Sequence, residues 1–322
     1  MQGKIVKLLF NAQDYVSGQQ MSESLGVSRQ AVNKAVNSLK EKGFKIKSVT
    51  RKGYLLENLP KYLCEEAINC YLNTKLIGKE LKILDSVSST NDYLKKLADE
   101  GAEAGTVVLA REQTAGKGRL GRKWQGSKDN GIALSLLLRP DLSPNEISSI
   151  TPLTGLAMCR AINDFCMVDS RIKWPNDIII GKKKLVGILT EMSAEFDRVE
   201  YTVTGIGINV GQSVFPEEIA HKATSILLET GRHIDQNKFV ATILNYLEQE
   251  LILNHYSLGG QAAADYQKLC ATIGRQVTFS RGKRNISGMA VSVNNSGELD
   301  VMLSNGTIAT VNSGDVTVQG IY

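Results

Sequence analysis

Residues 113–124, with the sequence QTAGKGRLGRKW, place three glycines, two lysines, two arginines and one tryptophan within twelve positions. Glycines at this density disfavour both helix and strand, so the segment is predicted to be a loop. Such a loop can present backbone N–H groups and fixed cations to an anion, and its indole offers a flat ring for stacking. The segment therefore predicts an anion-binding loop. The alternative is a solvated basic loop without function.

Two nucleotide-binding motifs are excluded by the surroundings of this loop. The spacing of Gly116, Gly118 and Gly121 fits a dinucleotide fingerprint, but that motif needs a strand directly before it and an apolar helix opening at it. Here the candidate strand ends several residues earlier, and the residues after Gly121 have loop composition. A Walker A loop is also excluded, because Arg122 follows Gly121 where that motif has lysine.

Bulk composition indicates an ordinary globular protein. The 322 residues are 42% hydrophobic and 22% charged, which suits two or three domains. No apolar run is long enough for a membrane helix or a signal peptide, so no membrane association is expected. The five cysteines form no CxxC pair, and neither they nor the three histidines have metal-ligand spacing. We therefore expect free thiols in a reducing compartment, the cytoplasm, and no metal held by protein ligands alone.

Positive charge is concentrated in residues 1–60, which hold ten Lys or Arg and four Asp or Glu (10 − 4 = +6), whereas the whole chain carries +5. Short amphipathic helices, a glycine turn at Gly26 and a helix capped by Ser28 predict a helix-turn-helix. Residues 45–56 alternate like a hairpin with a basic tip, a wing. DNA contacts are predicted for Ser28, Arg29, Gln30, Asn33, Lys34, Asn37, Arg51 and Lys52. A helical protein-interaction module is the alternative.

The rest of the chain predicts two further domains, giving an α+β protein divided at residues 1–62, 63–271 and 272–322. The central part mixes strands and helices without strict alternation, which predicts a mixed sheet. Its strands are expected at 81–85, 106–111, 131–139, 171–173, 177–180, 185–193 and 199–210. Helices are expected at 65–76, 91–101, 144–166 and 237–256. Residues 272–322 show short alternating strands at 277–280, 286–293, 299–303 and 307–311, separated by glycine turns, which predict an SH3-like β-barrel.

Four segments of the central domain are predicted to face one site. Residues 85–91 follow a strand and open a helix, so their hydroxyl and amide groups can bind a polar group at a helix N-terminus. The glycine-rich loop is the second segment. The third spans 172–189 and contains Lys184, and the fourth is 205–209, where glycines allow a ligand to approach the backbone.

These segments resemble the biotin protein ligase family. The resemblance is carried, in the family's order, by Ser-Thr-Asn at 89–91, the glycine-rich loop at 113–124, Lys-Trp-Pro-Asn-Asp at 173–177, Lys-x-x-Gly-Ile at 184–188 and Gly-x-Gly-x-Asn at 205–209. The N-terminal module makes the chain similar to the bifunctional members, which are biotin ligase and biotin operon repressor in one chain. The resemblance implies condensation of biotin with ATP to biotinyl-5′-AMP, with Mg²⁺ accompanying ATP. Transfer of the biotinyl group to a lysine of the carboxyl-carrier domain of acetyl-CoA carboxylase or another carboxylase would follow.

The resemblance also implies residue roles. Lys184 and Arg119 would be catalytic, since cations reduce the repulsion between the biotin carboxylate and the α-phosphate. Biotin would contact Ser89, Thr90, Asn91, Gln113, Gly116, Lys117, Gly118, Arg119, Lys184, Gly187 and Gly205. ATP and the adenylate would contact Arg119, Arg122, Trp124, Asn176, Lys184 and Asn209. Lys117 departs from the family, many of whose members have arginine there, so a bidentate contact at this position is in doubt.

A regulatory hypothesis and two alternatives accompany this interpretation. Residues 113–127 are expected to order over bound adenylate and to permit a homodimer that binds operator DNA. A lipoate–protein ligase has related chemistry, but the arginine-bearing loop, the winged module and the C-terminal barrel argue against it. A repressor that senses adenylate without ligase activity is disfavoured by intact Lys184, Arg119 and Trp124.

Overall fold

The structure is a computed structural model that describes residues 1–126, 128–144, 146–195, 197–282, 284–312 and 316–322. The chain divides into two compact units. The first comprises Met1–Asn73 and Ile234–Thr242, and the second comprises Thr74–His233 and Ile243–Tyr322. The domain divisions at residues 62 and 271 stay predictions.

The first unit contains a helix-turn-helix followed by a two-stranded wing. Its elements are α1 (Gln2–Asn11), α2 (Gly18–Leu25), α3 (Arg29–Glu41), β1 (Lys45–Val49), β2 (Gly53–Asn58) and α4 (Glu65–Tyr71). β1 and β2 pair antiparallel. The helix predicted over 65–76 is shorter than expected, because the backbone is already extended at Leu72.

Single residues set the helix ends of this unit. Ser17 forms a capping box with Gln20 at the start of α2, and Gly26 ends that helix at φ 64°. The Ser28 hydroxyl accepts a hydrogen bond from the Ala31 N–H at 3.1 Å and so caps α3. Apolar residues at helical spacing then form the core, which includes Ile5, Leu9, Met21, Val32, Val36, Leu39 and Phe44. The predicted helix-turn-helix, its cap and its wing are confirmed.

The second unit is built on a seven-stranded sheet. Its strands are β3 (Leu81–Leu84), β4 (Val107–Ala110), β5 (Gly131–Leu138), β6 (Ser170–Lys173), β7 (Asp177–Ile180), β8 (Lys183–Glu195) and β9 (Arg198–Asn209). They lie in the order β3-β4-β5-β9-β8-β7-β6. β3 and β4 run parallel, and the other neighbours run antiparallel. The predicted mixed sheet is confirmed, and each predicted strand is present.

The helices of this unit are α5 (Thr90–Asp99), α6 (Ile150–Cys166), α7 (Glu217–Ala220), α8 (Ile226–Thr230), α9 (Gln236–Leu247), which begins in the first unit, and α10 (Gly260–Leu269). α5 packs Leu94 and Ala98 against Val108, Leu137 and Val203 of the sheet. This packing fixes the N-terminus of α5 over the middle strands.

In this unit, two predicted helices differ from the structure by more than two residues at one end. The helix expected over 144–166 begins at Ile150, after a 3₁₀ turn at Ile147–Ser149. Asn145, inside the predicted range, lies outside the described residues. The helix expected over 237–256 ends as α9 at Leu247 and continues as a π-helical turn, Glu248–Ile252.

A partly buried ion cluster joins α6 to the π-helical turn and α10. Arg160 pairs with Glu250 and, at 2.5 Å, with Asp265. The Glu250 side chain is only 2% exposed. The Asn254 amide also donates to the Glu250 carboxylate, at 3.2 Å. Because a carboxylate withdrawn from water is costly unless it is paired, Arg160 is expected to stabilise this corner of the fold.

The C-terminal region forms a five-stranded antiparallel sheet. Its strands are β10 (Gln276–Arg281), β11 (Arg284–Val293), β12 (Leu299–Leu303), β13 (Ile308–Val311) and β14 (Val316–Val318), in the order β13-β12-β11-β10-β14. Four of these strands were predicted and β14 was missed. Closure of the sheet into an SH3-like barrel stays a prediction.

Trp174 connects this sheet to the central one. The residue is 1% exposed, and its Nε1–H donates to the Gly297 carbonyl at 2.9 Å. Its backbone N–H donates to the Thr272 hydroxyl at 3.0 Å. These contacts favour a structural role for Trp174 within the Lys-Trp-Pro-Asn-Asp motif.

Candidate active site

A cavity lies where the N-terminus of α5, strands β8 and β9 and the glycine-rich loop meet. Its apolar surface comes from Ile188, Leu189 and Ile206. The remaining lining includes twelve of the predicted site residues: Ser89, Thr90, Asn91, Gln113, Lys117, Gly118, Arg119, Trp124, Asn176, Lys184, Gly187 and Gly205. The fold therefore brings together residues that are up to 116 positions apart in the sequence, from Ser89 to Gly205.

The polar end of the cavity is organised around Thr90. The Gln113 side-chain oxygen accepts hydrogen bonds from the Thr90 N–H at 2.8 Å and from the Thr90 hydroxyl at 3.0 Å. The buried Ser135 hydroxyl, on β5, lies 2.8 Å from the Thr90 hydroxyl oxygen. Since the Gln113 oxygen is held by the protein, its amide NH₂ is the group that can donate to a ligand.

Asn91 is held on both sides of its amide. Its nitrogen donates to the Leu189 carbonyl at 3.3 Å and to the Glu191 carboxylate at 2.8 Å, and its oxygen accepts from Ser135 at 2.6 Å. A Cβ at Gly205 would lie 2.3 Å from the same Asn91 oxygen, so only glycine fits there. Asn91 and Gly205 thus shape the cavity wall, and direct biotin contact by either residue stays a prediction.

Trp124 lies on two facing glycines. Gly187 of β8 and Gly207 of β9 are register partners. A Cβ at Gly207 would lie 2.3 Å from indole Cε2, and one at Gly187 would lie 2.9 Å from Cζ3. Lys184 Nζ lies 5.6 Å from the indole ring centroid, within cation–π range. Because neither glycine has a side chain, the indole lies directly on the backbone of the two strands, and Gly187 and Gly207 together form its seat.

Two cations contact Asn176 and Asp177, which belong to the segment 172–189. Lys184 Nζ lies 2.6 Å from Asp177 Oδ1, with the two side chains 28% and 13% exposed. Arg119 Nη1 donates to Asn176 Oδ1 at 3.0 Å, and the Asn176 amide in turn donates to the Ile188 carbonyl at 2.9 Å. Both cations are thus oriented at the same side of the cavity, where they can face an anion.

The glycine-rich loop folds back on itself as a small hairpin. The Trp124 N–H donates to the Gly116 carbonyl at 2.9 Å, and the Gly118 N–H donates to the Arg122 carbonyl at 2.7 Å. Leu120, at its tip, has φ 54° and is 70% exposed. The predicted loop is confirmed, and no helix begins among the described residues that follow it, 122–126 and 128–138.

Lys117 connects the loop to α5. Its Nζ donates a hydrogen bond to Asp92 Oδ1 at 2.8 Å, and this hydrogen bond raises the pKa of Lys117. The Lys117 side chain is 50% exposed, so the pair is expected to contribute little stability. The Lys117 ammonium group therefore ties the loop to α5, and the same residue lines the cavity.

Three predicted residues lie outside the cavity lining. Gly116 packs against the Trp124 backbone, and Arg122 is exposed on the loop. Asn209, 5% exposed at the end of β9, donates to the Thr224 carbonyl at 3.0 Å. Ser127 is the last residue of the segment 113–127 that is expected to order over bound adenylate, and it lies outside the described residues. The ligand contacts of these residues stay predictions.

Sequence reasoning missed Ser135, Glu191 and Asp92. Ser135 carried a signal, because it is the single polar residue in the apolar run 132–138. Glu191 and Asp92 carried none. Glu191 reaches Asn91 across 100 positions of sequence, and only the pairing of β8 with β9 beneath α5 brings them together.

The predicted DNA-contacting residues all lie exposed on the first unit: Ser28, Arg29, Gln30, Asn33, Lys34, Asn37, Arg51 and Lys52. Asn33 is oriented by the Tyr54 hydroxyl, which its amide reaches at 3.1 Å, and Asn37 donates to Asn33 at 3.1 Å. Arg51 adopts φ 68° at the wing tip. The third helix and the wing thus present polar and basic groups together.

Sequence comparison matches all three regions. The biotin/lipoate A/B protein ligase family matches residues 83–209, a helix-turn-helix domain matches 2–55, and the biotin protein ligase C-terminal domain matches 272–318. The bifunctional ligase/repressor BirA of Bacillus subtilis is 42% identical over 238 residues, which cover 73% of each protein. The protein of the same name from Escherichia coli is 28% identical over 98% of this chain and 96% of its own.

Solved structures agree with this assignment. The biotin protein ligase from Aquifex aeolicus, in complex with biotin and ATP, superposes with a TM-score of 0.64 at 28% identity, covering 75% of this chain and 99% of that one. The chain belongs to the biotin protein ligase family, in its bifunctional ligase/repressor class. No helix among the described residues is long and apolar enough to cross a membrane.

Proposed function

We propose that this chain is an ATP-dependent biotin protein ligase that also represses transcription as a biotin sensor. The observation that carries the ligase assignment is the cavity itself. Its lining combines hydrogen-bonding groups at Thr90 and Gln113, cations at Lys184 and Arg119, and the apolar side chains of Ile188, Leu189 and Ile206. Biotin carries matching groups: a polar ureido ring, an aliphatic chain and a carboxylate.

The proposed reaction begins with attack of the biotin carboxylate on the α-phosphate of ATP, which releases pyrophosphate. Two anions must approach, so fixed positive charge at the meeting point lowers the barrier. Lys184 is the group proposed to contact both the carboxylate and the phosphate. Arg119 and Arg122 are proposed to bind phosphate oxygens through their guanidinium forks. Trp124 is proposed to pack against the adenine side, with Asn176 and Asn209 contacting the nucleotide.

Mg²⁺ is proposed to arrive with ATP. Among the residues that the structure describes, no group of three or more His, Cys, Asp or Glu side chains is placed to hold a metal ion. The polar groups near Lys184 are mostly cations and amides, which suit phosphate oxygens better than a bare divalent ion. The phosphates themselves would then be the principal Mg²⁺ ligands.

The ligase proposal is tested by three measurements on the purified chain. Biotin should support ATP–pyrophosphate exchange, and lipoate should not. Biotinyl-AMP should remain bound after gel filtration, and labelled biotin should pass to the lysine of a carboxyl-carrier domain. Exchange with lipoate alone would assign a lipoate-type ligase, and retention of adenylate without transfer would assign a pure sensor.

The repressor proposal involves the exposed face of α3, the wing and a change of oligomeric state. Adenylate binding is proposed to order the glycine-rich loop and to favour a homodimer, which would place two winged modules on a two-fold operator. Sedimentation and operator affinity should both respond to biotinyl-AMP. If neither changes, the coupling between ligand and DNA is wrong.

A cytoplasmic location is proposed from the cysteines. All five are buried thiols that form no disulfide. Burial raises the pKa of the Cys70 thiol to about 12 and that of Cys159 to about 11, which keeps both thiols protonated and unreactive. Free thiols of this kind suit a reducing compartment.

Lys34→Ala should weaken DNA binding at every sequence and make it less dependent on salt. Lys34 is exposed on α3, and loss of one phosphate contact lowers the slope of log affinity against log salt by about 1. Fluorescence anisotropy across a salt series measures that slope. Lys7→Ala, which removes one exposed charge from α1, is the matched control and should leave it unchanged. Equal changes in the two variants would mean that only net charge matters.

Gly207→Ala should weaken biotin binding by roughly tenfold, the effect of an overpacking cost of 1–3 kcal/mol. The added methyl group would lie 2.3 Å from the Trp124 indole, so the indole has to leave its seat on β8 and β9. Calorimetric titration with biotin measures the effect. In Gly126→Ala the new carbon meets the same indole at an ordinary 3.9 Å, so affinity should be retained. Equal affinities in both variants would show that the seat does not shape the site.

A further inference from the structure

Tyr322, the last residue of the sequence, reaches the cationic end of the cavity. Its hydroxyl donates a hydrogen bond to Asp177 Oδ2. Its ring lies under Lys173, whose Nζ is 3.6 Å from the ring centroid. The residue as a whole is 37% exposed, but its hydroxyl is directed at a carboxylate whose side chain is only 13% exposed. None of the motifs that define the site includes this tyrosine.

Asp177 links Tyr322 to Lys184. One carboxylate oxygen, Oδ2, receives the Tyr322 hydroxyl, and the other, Oδ1, lies 2.6 Å from Lys184 Nζ. The carboxylate thus divides its two oxygens between a neutral donor and a cation. β7 and β8 pair antiparallel with Asp177 opposite Gly187 and Ile179 opposite Lys184, so the Lys184 side chain reaches Asp177 from two positions along the neighbouring strand.

We propose that Tyr322 is a positioning residue for adenylate formation and acts through Asp177 on Lys184. This inference rests on the proposed ligase function. By occupying Oδ2, the phenol keeps Asp177 from rotating to bind the Lys184 ammonium with both oxygens. Lys184 then keeps one contact to Asp177 and can direct its remaining N–H groups at the anions in the cavity. A hydrogen bond to an ionised carboxylate is stronger than one between neutral groups. The Tyr322 hydroxyl can therefore hold the Asp177 carboxylate in one orientation.

The phenol stays a donor throughout the usable pH range. Desolvation is the main cause that raises the pKa of Tyr322, and the charge of Asp177 and the hydrogen bond to it raise it further. The nearby Arg122 opposes this shift but does not cancel it. Because its charge acts on the Tyr322 hydroxyl, Arg122 of the glycine-rich loop lies within electrostatic range of Tyr322. Two cations, Lys173 and Arg122, therefore lie near the tyrosine, and Asp177 links it to a third, Lys184.

The test is Tyr322→Phe in the full chain, which removes the hydroxyl but keeps the ring under Lys173. The kcat of biotin-dependent ATP–pyrophosphate exchange should fall by roughly tenfold, the loss expected for one hydrogen bond to a charged group. The KM for biotin and the melting temperature should stay the same. Transfer of biotin from supplied biotinyl-AMP to a carrier domain should also be unaffected, because that step follows the one that Lys184 assists.

Two controls separate positioning from a general structural effect. Tyr246→Phe removes another phenol–aspartate hydrogen bond, from Tyr246 to Asp164, at a place that does not line the cavity, and should leave exchange unchanged. Asp177→Asn should make the loss of the Tyr322 hydroxyl inconsequential, so the double variant should exchange at the rate of Asp177→Asn alone.

Three results would overturn the inference. They are a wild-type rate for Tyr322→Phe, additive losses in the double variant, and an equal fall in exchange, transfer and melting temperature. Wild-type protein without any biotin-dependent exchange would overturn the proposed ligase function, and the inference with it. Wild-type exchange together with an unaffected Tyr322→Phe would remove the inference alone.

Discussion

Lys184→Met should lower the rate of biotin-dependent ATP–pyrophosphate exchange by about a thousandfold, the loss seen when one preorganised electrostatic contact is removed from an active site. Lys184 is the cation that lies on the cavity wall beside both Trp124 and Asp177. Its side chain is partly buried, so its charge is screened less than that of an exposed lysine. A thousandfold change in rate corresponds to about 4 kcal/mol of barrier.

The neighbouring lysines provide the control for this experiment. Lys182 and Lys183 precede Lys184 in the same run and are exposed, so Lys183→Met should exchange at nearly the wild-type rate. Because Lys184→Met leaves Asp177 without its cation, the double variant Lys184→Met/Asp177→Asn checks that the fold survives. It should melt close to wild type and remain inactive. Activity in the double variant would show that Lys184 only neutralises Asp177 and does not act on the substrates.

Local signals in the sequence predicted much of the fold. Ser28 and Gly26 set helix ends through bonds within one turn of the chain, and such bonds need no distant partner. The strands of the central sheet were predicted from apolar runs such as 131–139. The apolar side chains that form such a run are the ones that the sheet buries. Where the pattern was weak, the prediction failed, as for β14, which has only three residues.

Contacts across the fold could not be predicted. The π-helical turn after Leu247 follows a sequence that reads as continuous helix, and the Glu250 contact to Arg160 bridges 90 positions. The motifs placed Lys184, Arg119 and Trp124 at one site, but not the seat that Gly187 and Gly207 form together. The seat depends on the register of β8 with β9, which no single segment specifies.

Arg160→Met should lower the free energy of unfolding of the second unit by roughly 3–5 kcal/mol, the cost of leaving a buried carboxylate without its cation. Among the described residues, Glu250 would keep the Asn254 amide, at 3.2 Å, and Asp265 would lose its contact at 2.5 Å. The two tryptophans of the chain, Trp124 and Trp174, both belong to this unit, so urea unfolding followed by tryptophan fluorescence reports on it alone. With an m-value of about 1–3 kcal/mol per molar, the midpoint should fall by at least about 1 M.

An exposed ion pair in the same unit tests whether this loss comes from burial or from breaking an ion pair. Arg198 lies 3.1 Å from Asp141, with the side chains 77% and 89% exposed, so Arg198→Met should cost less than about 1 kcal/mol. Adding Glu250→Gln to Arg160→Met should recover part of the lost stability, because the unpaired charge is then removed. If the double variant is less stable than Arg160→Met, the arginine stabilises α6 through packing of its aliphatic stem. If Arg160→Met and Arg198→Met lose equal stability, burial of Glu250 has no special cost in this fold.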